Sequence, residues 1–174
     1  MNMAHWHLVL NHVPMFLTLF GIVLLVVGLW RNSDELTVTS LVMFVLAGAV
    51  VVPVYYTGHE AEGIVEDRPA VSEPLLEQHE ELAEWTRLIL IVLGLVSLGA
   101  LSWLIKGNDP SWVYGITLAI SLLGTGYLGY TAYLGGQIRH SEIRPTKTNG
   151  LPGSEHAEGE PESDGHDYHE EEAE

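Results

Sequence analysis

Hydrophobic positions in this chain fall into four long runs set apart by polar stretches. The first, Leu8 to Trp30, is broken only by Asn11, His12, Pro14 and Thr18. The others extend from Val38 to Thr57, from about Leu82 to Ile105 and from Trp112 to about Gly136, with Glu84 their one acidic residue. A helix rises about 1.5 Å per residue, so each run can cross a hydrocarbon core about 30 Å thick. The pattern predicts four transmembrane helices over about 8–30, 38–57, 82–105 and 112–136. The leader Met-Asn-Met-Ala-His-Trp-His carries no Lys or Arg and the run ends at Trp30-Arg31. The first span is therefore expected to stay attached rather than act as a cleaved signal.

The connections are unequal. Arg31 to Thr37 and Lys106 to Ser111 are short and force antiparallel neighbours, whereas Gly58 to Glu81 is long, acidic and punctuated by Pro69 and Pro74. The simplest topology is an all-α, up-down four-helix bundle over residues 1–145, with both termini and the long loop at one end. Trp30, Tyr55, Tyr56, Trp85, Trp103, Trp112 and Tyr133 fall near span ends, where amphipathic rings favour the interface. No internal repeat beyond the helical pairs is evident between the two halves.

Composition sharpens this reading. The 174 residues carry 23 acidic and 7 basic side chains and no cysteine. Such a balance offers no cationic surface for a phosphate backbone, which argues against nucleic-acid binding. Without cysteine there is no disulfide, no iron–sulfur cluster, no covalently attached c-type haem and no thiol nucleophile. Residues 146–174 shift to Gly, Pro, Ser and Glu, and 151–174 hold ten carboxylates, no Lys or Arg and one aromatic ring. This tail reads as disordered, with His156, His166 and His169 able to chelate divalent cations only weakly. Arg31 and Lys106 lie on the short-loop side and Arg68, Arg139, Arg144 and Lys147 on the other, so the basic count favours cytoplasmic termini by a small margin.

The candidate chemistry lies in histidine. His5, His7, His12, His59, His79 and His140 all fall at the end carrying the termini and the long loop. Helical phase tests whether they converge, because alternating steps of three and four residues form one seam. On the fourth span the series Gly115, Ala119, Leu122, Gly126, Gly129, Tyr133, Gly136 leads to His140. On the third, His79 heads Ala83, Thr86, Leu90, Leu93, Ser97 and Ala100; on the second, Leu41, Val45, Gly48, Val52 and Tyr55 lead to His59 and on to Glu62 and Glu66. Small residues on such seams let helices approach closely in lipid. The first span's seam runs His7, Asn11, Pro14, Thr18, Gly21, Leu25, Gly28, and His12 lies about 100° from it. Because Pro14 interrupts the hydrogen-bond ladder, either His7 or His12 is the inward ring.

Three readings are open. Imidazoles from two helices can ligate b-type haem axially, which needs no cysteine and suits a membrane electron carrier. A mixed set of His59, Glu60, Glu62, His79, Glu80 and Glu84 suits a divalent metal, although the Glu-x-x-His pairing of ferritin-like bundles is absent. In the third, the same groups border the membrane, cap helix ends and bond loop backbone without further function. Arg87, one turn from Glu84, is explained by an intrahelical ion pair with snorkelling toward the interface, the alternative being a gating or propionate-binding role. No nucleophile elbow, phosphate loop, dinucleotide fingerprint or HExxH sequence supports a hydrolase or kinase, and the balance leans away from an enzyme.

Asn11-His12-Val13-Pro14 opening the first span, Thr57-Gly58-His59 closing the second, His79-Glu80 before the third and Leu134-Gly135-Gly136 closing the fourth resemble a family of bacterial four-helix integral membrane proteins grouped as a domain of unknown function. The resemblance covers about residues 5–142. It implies the bundle, a multi-pass location in the inner membrane and importance for the histidines. Where the family pattern has a Gly-Gly-x-x-Val-Tyr type ending, this chain has Gly135-Gly136-Gln137-Ile138-Arg139-His140. The expectation is a bundle that binds a redox centre, b-type haem, through His12, His59, His79 and His140 for electron transfer or redox sensing, with other membrane redox proteins as partners. Its rival is a non-redox accessory protein that holds divalent metal through Glu62, Glu80 and the His/Glu tail.

Overall fold

A computed structural model describes residues 2–65, 72–108 and 111–139. Every element among them is helical: α1 Met3–Leu10, α2 His12–Arg31, α3 Asp34–Val65, α4 Glu73–Ile105 and α5 Ser111–Arg139. Helices α1 and α2 together make the first of four stretches long and apolar enough to cross a membrane; α3, α4 and α5 make the rest. The chain is an all-α four-helix bundle, each helix packing on the next and α2 also meeting α5 to close the ring. Residues 140–174, including His140 and the acidic tail, lie outside the described residues.

Local sequence explains where the helices start and stop. The Asn2 side chain accepts the His5 N–H at 3.0 Å and so caps α1. Pro14 has no N–H to give the Leu10 carbonyl, so the ladder is interrupted at Asn11, although Asn11 itself keeps right-handed helical angles (φ −60, ψ −26). Asn32 ends α2 in the left-handed conformation, φ 50 and ψ 46, which asparagine tolerates, and its N–H and that of Ser33 satisfy carbonyls of the last turn. Ser72, Glu73 and Pro74 open α4 with a proline in the first turn and an acid near the positive helix end.

The expected long loop is largely helix. Helix α3 runs on past Thr57 to Val65 and α4 begins at Glu73, so His59, Glu60, Glu62, His79, Glu80 and Glu81 all sit on helical extensions beyond the apolar runs. Glu, Gln, Ala and Leu are strong helix formers, and leaving the apolar core gave them no reason to unwind.

Two of the four expected seams hold, the one on α3 is part of a wider buried face, and the one on α5 turns. Pro14, Thr18, Gly21, Leu25 and Gly28 are buried on α2, and Thr86, Leu90, Leu93, Ser97 and Ala100 on α4. On α5 the series through Gly115, Ala119, Leu122, Gly126 and Gly129 faces outward, and the buried line is Tyr114, Thr117, Ser121, Gly124 and Leu128. The Thr117 and Ser121 hydroxyls donate to Val113 and Leu118 carbonyls of their own helix at 2.9 and 2.8 Å. Once satisfied in this way they are compact enough to serve a close interface, and the glycines are left to face outward. On α3 the buried line is Thr37, Ser40, Phe44, Ala47 and Val51, with Leu41 and Gly48 beside it. This helix lies between α2 and α4 and therefore buries a wider face.

The two helical hairpins bury matching positions. Sliding the chain so that His7 falls on His79 puts Pro14, Thr18, Gly21, Leu25 and Gly28 on Thr86, Leu90, Leu93, Ser97 and Ala100, every one buried. A second slide that brings Gly58 onto Gly135 puts Thr37, Ser40, Phe44, Ala47 and Val51 on Tyr114, Thr117, Ser121, Gly124 and Leu128, again all buried. The two hairpins therefore bury corresponding positions without sharing residue identities.

Large apolar side chains such as Phe20, Val23, Leu95, Leu98, Leu122 and Leu123 are exposed around the bundle, as a lipid-facing surface requires. Trp30, Trp103 and Trp112 ring the short-loop end, and Trp6, Tyr56, Trp85, Tyr130 and Tyr133 the other.

Candidate functional site

Two histidines enter the bundle in the same way. The half-buried His7 of α1 donates from Nδ1 to the Val54 carbonyl of α3 at 3.0 Å. The half-buried His79 of α4 donates from Nδ1 to the Thr131 carbonyl of α5, also at 3.0 Å. A carbonyl oxygen only accepts, so in each ring Nδ1 carries the hydrogen, and in the neutral imidazole Nε2 keeps its lone pair. Ring geometry turns that lone pair away from the carbonyl.

Each acceptor stands four residues before a glycine on which the ring lies. A Cβ at Gly58 would come within 2.9 Å of His7 Cε1 and 3.1 Å of its Nδ1; one at Gly135 would come within 3.2 Å of His79 Cε1. A methyl group at Gly58 would make the His7 ring shift, and one at Gly135 would make the His79 ring give by a few tenths of an ångström, in each case disturbing the bond to the carbonyl. His7 lies on α1 against α3 and His79 near the start of α4 against α5, so both rings belong to the end of the bundle at which the first span and α4 begin.

Polar groups continue below the rings. Thr131 is held a second time, its hydroxyl meeting Thr86 Oγ1 at 3.0 Å while its carbonyl takes His79. One turn below His7, Asn11 Oδ1 is buried with no hydrogen-bond partner. Arg87 lies over the Tyr55 ring, 4.0 Å from its centroid, with Nη2 3.5 Å from Glu84 Oε1, so the ion pair expected from sequence forms and a cation–π contact joins it. Arg87 Nε is buried without a partner.

His59 takes a different role. Its Nδ1 lies 3.0 Å from Glu80 Oε1 and 3.7 Å from Glu62 Oε2, tying the end of α3 to the start of α4. The side chain is 59% exposed, so this group forms the outer rim rather than the interior. One ligand atom from each of His59, Glu62 and Glu80 lies within 4.8 Å of the others.

The sequence-derived set is thus divided. His79 faces the bundle interior, and His59, Glu62 and Glu80 meet at the rim. His12 is exposed, and His7 takes the inward place on the first span because it stays in phase with Pro14 and Thr18 despite the interruption at Asn11. His140 lies outside the described residues. Sequence reasoning missed the partners of the rings, namely the Val54 and Thr131 carbonyls and the glycines that follow them. The available signal was the pair Tyr56-Thr57-Gly58 and Tyr133-Leu134-Gly135, a Tyr-x-Gly element repeated at the same place in each hairpin.

Compared with known proteins, the chain matches no family model, no curated protein and no solved structure.

Proposed function

We propose that this protein is an inner-membrane electron carrier or redox sensor that holds b-type haem between α1 and α4, with His7 and His79 as its two imidazoles. The observation that carries this reading is their common anchoring, in which Nδ1 is tied to a backbone carbonyl and Nε2 is the nitrogen left to donate. That arrangement is the one metal-bound histidines use, because the tied N–H fixes both tautomer and ring direction. The donor chemistry fits haem iron, since each ring's Nδ1 is taken by a backbone carbonyl, its Nε2 is the nitrogen left to coordinate, and the sequence has no competing thiolate. The haem would supply a one-electron couple. The chain's own part is to hold two Nε2 atoms in place and to lower the motion of each ring through its carbonyl bond. The basic-residue count favours the cytoplasmic side for this end of the bundle by a small margin.

A reduced-minus-oxidised spectrum of the full chain, purified from cells supplied with a haem precursor, tests the proposal. A Soret and α-band difference that is lost in His7→Ala and in His79→Ala supports it. A folded, colourless wild-type protein overturns it.

The rim favours a second reading, in which a non-redox accessory protein takes a divalent cation at His59, Glu62 and Glu80. The close approach of three ligand atoms from two helices supports it, and a mixed His-carboxylate set suits zinc or manganese.

A further inference from the structure

We infer that Gly58 and Gly135 are paired positioning residues, one in each helical hairpin, which set the tautomer and direction of His7 and His79; the role rests on those two rings being the functional imidazoles. Three observations converge on it. The first is the bond pattern, in which each Nδ1 meets the carbonyl four residues before its glycine, at 3.0 Å in both halves. The second is space, since a methyl group at either glycine would fall within 3.2 Å of the ring it supports. The third is the matching burial of the two hairpins, in which the shift that brings His7 onto His79 superposes the buried line of α2 on that of α4, and a separate shift that brings Gly58 onto Gly135 superposes that of α3 on that of α5.

The matching burial gives the pairing a reason. A hairpin that carries one imidazole on its first helix and a glycine cradle on its second presents a single donor. Two such hairpins, packed as α3 against α4 and α2 against α5, bring two equivalent donors to one end of the bundle. A guest held by both rings would then meet an imidazole from each hairpin, a donor pair that haem iron accepts. Glycines elsewhere in the bundle lack this role. Gly126 and Gly129 have nothing within 4 Å of an added Cβ and provide controls on the same helix.

Ligand-free protein labelled with ¹⁵N-histidine, in detergent, tests the cradles without any cofactor. In the wild type, nitrogen spectra are expected to show two rings protonated at Nδ1 and bare at Nε2. Gly58→Ala should shift only the His7 signals and Gly135→Ala only those of His79, both toward the mixed tautomers of a free ring, with Gly129→Ala unchanged. In haem-loaded protein each cradle variant should weaken haem binding by about 10–100-fold, the usual effect of disturbing an outer-shell partner. Wild-type rings protonated at Nε2, or cradle variants with wild-type nitrogen spectra, would overturn the inference. Should one variant fail to fold, the wild-type tautomers and the other variant still decide. Colourless wild-type protein with the Nδ1–H pattern intact would sink the haem reading alone.

Discussion

Gly48 of α3 and Gly94 of α4 pass so close that a Cβ on Gly48 would lie 3.1 Å from the Gly94 Cα and 2.7 Å from the Leu90 carbonyl oxygen. Neither contact involves a side chain that could swing aside. In lipid the neighbouring tails are as apolar as leucine, so helices gain by fitting closely rather than by escaping water, and a backbone contact of this kind sets the α3–α4 spacing.

Gly48→Val should therefore force α3 and α4 apart and cost about 1–3 kcal/mol, the usual range for overpacking. Gly129→Ala, which meets open space, should cost nothing. Thermal unfolding of the two variants in one detergent checks the contrast.

Pro14 offers a test of the first span. Pro14→Ala returns an N–H to the Leu10 carbonyl and should fuse α1 and α2 into one helix, slowing amide exchange around Asn11. Restoring that bond draws α1 and α2 into one continuous ladder and so shifts His7 relative to Val54. The variant is expected to gain helix and lose cofactor together, as read by exchange mass spectrometry and by absorbance.

His12 and His7 are five residues apart, yet only His7 is turned inward. On the proposed haem reading, His12→Ala should leave haem affinity within about twofold, the scale of an ordinary surface substitution, while His7→Ala should abolish the Soret and α-band difference. Equal losses in the two variants would show that the first span is rotated from the orientation described here.

The rim pair is a surface interaction. Glu80→Gln should lower stability by no more than about 1 kcal/mol, because an exposed ion pair contributes little in high dielectric. Calorimetric titration of zinc or manganese into the full chain and into a chain ending at residue 150 separates rim from tail: heat lost on truncation assigns the metal to the tail, and heat lost only in His59→Ala assigns it to the rim.

Much of the fold was legible because the bilayer imposes a length and an apolar composition on any helix that crosses it. The α2 and α4 seams were legible too, since Pro14, Thr18, Gly21 and Thr86, Ser97, Ala100 are the small or polar members of otherwise bulky runs. The α5 seam was not. Its glycines suggested a contact face, but serine and threonine with hydroxyls bonded inside the helix serve that purpose as well, and composition does not distinguish them. The matching burial of the two hairpins was not legible for a related reason: Leu25 opposite Ser97 and Phe44 opposite Ser121 preserve burial without preserving identity.

Sequence alone determined the number of spans, the short turns between them and the gathering of histidines at one end, because each follows from hydrophobic length and chain order. Which rings turn inward was decided by tertiary structure. His7 is singled out from His12, and His79 from His59, by a backbone carbonyl and a bare glycine on a neighbouring helix about fifty residues away in the chain, and no local pattern records which carbonyl a side chain will reach.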